Sequence, residues 1–388
     1  MPRISAHAAP MKEIASQDIP QTMLALTFAG RTSILLSTLP TPKIVHPTDV
    51  IVQVSIAGIC GSDLHPFHER EKGIAKGCIT GHEFVGYVVA KGSQVDLQLG
   101  DRVMSPFTAC CGTCFFCASA VPCRCCHPQA RLFGWVTEDE LEMTAEERTG
   151  LQGAQAQYVR APLADSTLVK VPTEVTDNEA ILLGDILSTA FFCAEQGGVT
   201  LGSSVVVIGC GPVGLLTVMA SLYLGAQSVW AVDRVPERLA LAAQLGAIPV
   251  DFSACDVPST IAAANGGRGV DVALEVVGAG AALRLAFDSL RAAGTLSSVG
   301  VQTDANFPWT PTEAYDKNLT YRTGRCPARH YMQKLLAVVA DKTNERAQPW
   351  TSIITHTMPL SNGVRGYEMF DKKLDGCIKV VLDCQGEQ

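Results

Sequence analysis

The chain has 388 residues, 47% apolar and 18% charged, long enough for two domains and apolar enough to bury a sizeable core. With 30 Lys and Arg against 38 Asp and Glu, its formal charge of −8 argues against a nucleic-acid or anionic-membrane surface. No apolar run approaches bilayer-spanning length, and fifteen cysteines without a secretory signal point to a reducing, cytoplasmic setting where clustered thiols bind metal.

Residues 1–21 read as a loosely ordered extension. From Thr22 the pattern is short and β-rich: "DVIVQVSIAGIC", "EFVGYVVAKGSQV", "QAQYVRAP" and "STLVKVP" are apolar or alternating runs punctuated by glycine. Within this region "GICGSDLH" and "GHEFVG" place Cys60 and His82 beside flexible glycines. A thiolate and an imidazole are zinc donors, but a catalytic zinc needs a third protein ligand and an open position.

The loop Thr108–Pro128 holds seven cysteines. Cys111, Cys114 and Cys117 follow a C-x2-C-x2-C pattern, the short hops that let thiolates converge on one tetrahedral zinc. Spacing alone leaves the fourth ligand open among Cys123, Cys125 and Cys126. The acidic stretch Thr137–Gly150 is helix-prone and reads as a solvated excursion.

Near Asn178 the texture changes. "NEAILLGDILSTAFFCAEQGG" has helical period, and its lone acid, Asp185, is either a third zinc ligand or a helix N-cap. Short buried strands then alternate with helices until about Gly324, which indicates a doubly wound parallel sheet. The tail "GCIKVVLDC" returns to strand character, so the last sixty or so residues are expected to rejoin the first domain.

"VVVIGCGPVG" sets Gly209, Gly211 and Gly214, with Pro212 and Val213 between them, after an apolar strand and at the mouth of a helix. The glycines permit a tight turn, close approach of backbone to a pyrophosphate, and helix-on-strand packing. The next apolar strand ends in Asp233, a carboxylate suited to ribose hydroxyls and hostile to a 2′-phosphate. Arg234 beside it partly offsets that repulsion, and NAD is favoured over NADP.

In order and spacing, "GICGSDLH", "GHEFVG", "CGTCFFC" with a later cysteine, "GDILST" and "GCGPVG" resemble the zinc-dependent alcohol dehydrogenases of the medium-chain dehydrogenase/reductase superfamily. "LLGDIL" and "DRVPERL" look closest to the formaldehyde dehydrogenase-like branch. The resemblance runs from about Thr22 to the C-terminus. It implies an α/β protein with a GroES-like catalytic domain over 22–186, a Rossmann domain over 187–325, and a return to the catalytic domain over 326–388.

The resemblance also implies roles. The family's C-x2-C-x2-C-x7-C selects Cys125 as fourth structural ligand, leaving Cys110, Cys123 and Cys126 spare. Cys60, His82 and Asp185 would hold the catalytic zinc, with Glu83 as an alternate ligand and Asp63 orienting His82. Ser62 and His65 would relay the substrate proton to solvent, Thr189 would border the nicotinamide, and Phe107 would wall the pocket.

The expected activity is reversible hydride transfer between a small primary or secondary alcohol and NAD, in a homodimer or homotetramer with two zinc ions per chain. Oxidation or dismutation of aldehydes at the same site is the alternative. A non-redox binding role is a further one, disfavoured by the intact ligand and relay residues.

Overall fold

The computed structural model describes residues 19–144, 147–344 and 346–385, so most of the expected N-terminal extension lies outside the described residues. An antiparallel hairpin, β1 (Thr22–Gly30) and β2 (Ser33–Pro40), comes first among the described residues. Five strands follow: β3 (Val50–Ile59), β4 (Phe84–Lys91), β5 (Arg102–Met104), β6 (Tyr158–Ala161) and β7 (Val169–Lys170). The nucleotide-type unit contributes β8 (Ser204–Ile208), β9 (Ser228–Asp233), β10 (Ile248–Asp251), β11 (Val270–Glu275), β12 (Leu290–Ser298) and β13 (Thr320–Thr323). Last come β14 (Ile354–Pro359) and β15 (Lys379–Asp383).

Strands β8–β13 form one six-stranded sheet in the order β10-β9-β8-β11-β12-β13, every pairing parallel. Its central strands are continuous apolar runs, as burial of both faces by helices demands; all five residues of β8 are buried. The other large sheet has the order β14-β15-β3-β4-β5-β7, with β6 also on β3. Strand β15 pairs antiparallel with β3, so the last strand of the chain returns to the first half.

The stretch with helical period from Asn178 is two helices, not one. Asp177–Gly184 and Ile186–Gly197 meet at Asp185, whose φ of −144° and ψ of −79° break the hydrogen-bond ladder. The second helix then packs with Pro212–Tyr223 and Ala328–Ala340 in a core that also takes in Cys60, Val85 and Met104. That shared core fixes the nucleotide sheet against the β-rich half. In the acidic excursion only Glu138–Leu141 is helical among the described residues, closed by a capping box between Thr137 and Glu140.

Gln155, fully buried, ties the return of the chain to the site-bearing loops. Its Nε2 donates to Gly58 O at 2.9 Å and Asp63 Oδ2 at 3.2 Å. Its Oε1 accepts from Thr80 Oγ1 at 2.6 Å and from Tyr367 Oη at 2.8 Å. Tyr367→Phe removes one of these bonds with little change of shape. The expected loss is about 1 kcal/mol, read as a lower urea midpoint at constant slope; an unchanged or higher midpoint would contradict this role for Tyr367.

Candidate active site

Three separate segments deliver three buried polar side chains to one point. Cys60 directly follows β3, His82 precedes β4, and Asp185 stands at the helix break. Cys60 Sγ lies 3.4 Å from Asp185 Oδ2, and His82 Nε2 lies 3.2 Å from the same oxygen. Donor atoms on the corners of a zinc tetrahedron, with Zn–S near 2.3 Å and Zn–N or Zn–O near 2.0 Å, stand about 3.3–3.5 Å apart. The trio therefore has the spacing and the donor chemistry of a zinc site. Asp185 makes no side-chain capping bond to the helix that follows it, so its carboxylate is turned to Cys60 and His82 instead.

Electrostatics agree with the geometry. Burial, with help from Asp185 and Glu83, pushes the Cys60 thiol up to about 11. Burial alone would depress His82, but Asp63 and Asp185 lift it well above its ordinary value. A divalent cation replaces both protons and supplies the charge that three converging polar groups lack.

The surrounding shell holds the trio in place. Asp63 Oδ1 lies 3.2 Å from His82 Nδ1, while its Oδ2 accepts from Cys60 N at 2.9 Å. Ser62 Oγ is 3.2 Å from His82 Nε2. Thr189 Oγ1 donates to Asp185 Oδ1 at 3.3 Å, and the Phe107 ring stands edge-on to His82 with centroids 6.5 Å apart. His65 is half-buried on the same cavity; burial lowers its pKa, and its Nδ1 is buried without a partner. No hydrogen bond joins Ser62 to His65 among the described residues.

Glu83, expected as an alternate ligand, is not among the converging donors. Its Oε2 is ion-paired to Lys379 Nζ, both side chains fully buried, and its Oε1 has no partner. Burial raises its pKa against the pull of Lys379. Lys379, the first residue of β15, also donates to Ile59 O at 3.0 Å. Sequence reading passed over it, although a lone lysine inside "GCIKVVLDC" is the kind of buried charge that signals a partner.

The cysteine lobe makes a second cluster. The Sγ atoms of Cys111, Cys114, Cys117 and Cys125 lie within 4.8 Å of one another, with Cys114–Cys117 at 3.6 Å, Cys114–Cys125 at 3.8 Å and Cys111–Cys125 at 3.4 Å. These approach the edges of a tetrahedron of zinc-bound sulfurs, about 3.8 Å. Backbone N–H groups of Cys117 and Cys126 lower the Cys114 thiol to about 5. Cys110 and Cys123 turn elsewhere, to Ser166 O and Arg325 O, each at 3.3 Å.

In the glycine turn Gly209 has φ +96°, and a Cβ on Gly214 would meet Gly209 O at 1.9 Å, so neither position accepts a side chain without rearrangement. Pro212 opens the following helix. Asp233 accepts from Arg234 N at 2.7 Å, Val235 N at 3.0 Å and Cys210 N at 2.8 Å. Those bonds leave about one lone-pair position for a ligand hydroxyl. Arg234 is exposed beside it, and Arg238, absent from the sequence reading, stands 3.9 Å from Asp233 Oδ2 with its Nε buried and unpartnered.

The trio, the glycine turn and Asp233 open onto one cavity of about 1780 Å³, which therefore joins a metal-type site to a dinucleotide-type site. That combination defines a metal-assisted nucleotide-dependent oxidoreductase. Residues 46–173 match the alcohol dehydrogenase GroES-like domain and residues 212–341 the zinc-binding dehydrogenase domain. The medium chain reductase/dehydrogenase ucsI of Acremonium sp. is 44% identical over 76% of this chain and 99% of its own. Zinc-type alcohol dehydrogenase B of Aspergillus flavus is 39% identical over 90% of this chain and 79% of its own. Alcohol dehydrogenase TADH from Thermus sp. ATN1 superposes with a TM-score of 0.85 at 38% identity, covering 93% of this chain and 99% of that one. The chain belongs to the zinc-dependent alcohol dehydrogenases of the medium-chain dehydrogenase/reductase superfamily.

The two clusters make separate demands on zinc content. Asp185→Ala is expected to lower bound zinc from about two to about one per chain with the fold retained, and Cys125→Ser to lose the other zinc together with stability. Metal analysis of purified variants checks this; Cys123→Ser or Cys126→Ser behaving as Cys125→Ser would overturn the assignment.

Proposed function

We propose that the protein is a zinc- and NAD-dependent alcohol dehydrogenase that interconverts small or medium primary or secondary alcohols with their aldehydes or ketones. The observation that carries this is the single cavity shared by Cys60, His82 and Asp185 on one wall and the Gly209–Gly214 turn on the other. When bound there, zinc supplies a Lewis acid that lowers the proton affinity of a substrate hydroxyl, and NAD supplies the hydride acceptor.

The chain's own residues do the rest. Asp63 holds the His82 ring by Nδ1 and leaves Nε2 facing the trio. Ser62 Oγ, beside His82 Nε2, takes the hydroxyl proton as it releases its own towards His65, which passes it towards solvent. Phe107 and Thr189 border the reacting region and limit water there. The helix beginning at Pro212 offers its unpaired N–H groups to the cofactor's pyrophosphate. The Asp233 carboxylate favours a free ribose, hence NAD over NADP. An assembly of two or four copies, joined in part through the exposed edge strand β13, and a cytosolic location complete the reading.

NADH formation and consumption across a panel of alcohols and aldehydes, before and after zinc chelation, tests the proposal. Turnover that disappears with the metal and returns with zinc is expected. Activity that survives removal of all zinc, or a zinc-loaded protein inert to every alcohol and aldehyde, would refute it.

His65 gives a pH signature. Burial lowers its pKa, so the imidazole is neutral at pH 7 and able to accept a proton. Activity should fall as pH drops through that lowered value, because the protonated ring can no longer accept. His65→Gln is expected to reduce kcat by at least about tenfold, to abolish this acid limb and to be partly rescued by added imidazole. An unchanged pH profile would remove His65 from the relay.

A further inference from the structure

The cavity is lined in part by apolar and aromatic side chains, Phe107 beside His82 and Leu132 and Trp135 among them, as a pocket for an alkyl chain requires. The same lining also holds cationic side chains. Arg124, Arg131 and Arg325 all face this same cavity. They come from the end of the cysteine lobe, from the segment after it, and from the connection between β13 and the helix Ala328–Ala340.

None of the three arginines forms an ion pair among the described residues. Arg131 gives one N–H to its neighbour Ala130 O at 3.3 Å, and Arg124 and Arg325 have no side-chain partner there. Among the other arginines, Arg102, Arg160, Arg284, Arg291 and Arg365 each face a carboxylate within 3.2 Å, whereas Arg70 and Arg234, on the same cavity, also form no ion pair among the described residues. Arg124, Arg131 and Arg325 are exposed cations lining one cavity of a chain with net charge −8, free to meet an anion that enters it.

The fold also holds two of them together. Cys123 Sγ donates to Arg325 O at 3.3 Å, which ties the turn bearing Arg124 to the segment bearing Arg325. Burial raises the Cys123 thiol while the charges of Arg124 and Arg325 pull it back, so both guanidinium groups lie within electrostatic reach of that sulfur. No carboxylate on the same cavity forms an ion pair with any of the three arginines among the described residues. Glu140 is taken up by Thr137, Thr149 and Gly150, and Asp139 stands exposed on the helix Glu138–Leu141.

From this arrangement we infer that the enzyme selects substrates carrying a carboxylate at the end remote from the reacting carbon, received by Arg124 and Arg325 with Arg131 in support. Guanidinium groups suit the planar carboxylate, which they bind through paired N–H donors. The substrate class is then the ω-hydroxyalkanoates and the matching oxo acids, with the alkyl spacer lying along Phe107, Leu132 and Trp135. This specificity rests on the dehydrogenase reading above.

The test compares kcat/KM for a series of ω-hydroxyalkanoates with that for n-alkanols of equal length, using the full-length zinc-loaded enzyme and NAD. At the best-fitting length the acid is expected to be preferred by roughly tenfold or more, with the preference shrinking as salt is added. Arg325→Gln and Arg124→Gln should each reduce that ratio by roughly fivefold, and the lysine variants should retain part of it. Turnover of n-alkanols with no preference for the acids would overturn the inference and leave the dehydrogenase reading intact. Should no alcohol be turned over, that reading fails, and calorimetric titration with n-hexanoate decides the arginine patch on its own. Binding that weakens at least fivefold in the Arg124→Gln/Arg325→Gln double variant supports it; binding that is undetectable or unaffected overturns it.

Discussion

A thiol, an imidazole and a carboxylate, each costly to remove from water, are brought within hydrogen-bond distance of one another at Cys60, His82 and Asp185. No hydrophobic gain explains that convergence, and partial neutralisation by shared protons leaves a raised thiol beside a raised imidazole. A divalent cation resolves the conflict, because it converts the lone pairs of all three groups into ligand bonds. The neighbouring structure is arranged around this demand. Asp63 faces the free nitrogen of His82, Gln155 and Cys60 N occupy the other Asp63 oxygen, and the helix breaks at the one residue whose carboxylate must turn inward.

The fold serves the same point from a distance. The helix starting after Asp185 packs into a core shared with the helix at the glycine turn, so the metal-type and nucleotide-type sites are set relative to each other by apolar packing. Pairing of β15 with β3 brings Lys379 behind Cys60, where it neutralises Glu83. Breaking one partner of that pair would strand a buried charge, which is costlier than the pair itself is stabilising. The last strand is thus part of the site although it contributes no candidate ligand.

Much of this is legible in the sequence. The glycine turn, the parallel alternation and the cysteine ladder are local patterns whose spacing has a direct geometric meaning, so they could be read in order along the chain. Cys60, His82 and Asp185 are separated by more than a hundred positions from first to last; the residues alone left Asp185 open between ligand and helix cap, and resemblance to a known family favoured the ligand. The choice of Cys125 over Cys123 and Cys126 also rested on that resemblance, since three thiols within four positions cannot be separated by spacing. The helix break at Asp185 was signalled only by the N-cap alternative for that residue, because its flanks keep an unbroken apolar period. Lys379, Gln155 and Tyr367 went unremarked for a different reason: their importance lies in partners that only the folded chain brings near. Arg124, Arg131 and Arg325 carry no motif, and only the folded chain shows that they line one cavity.

The measurement that bears most directly on this account is an anomalous difference map from crystals of the zinc-loaded protein, recorded at the zinc edge. The account predicts two peaks per chain. One should lie about 2.3 Å from Cys60 Sγ and about 2.0 Å from His82 and Asp185, and the other should sit among Cys111, Cys114, Cys117 and Cys125. A single peak at the cysteine lobe, with the Asp185 carboxylate turned away from Cys60 and His82, would contradict it.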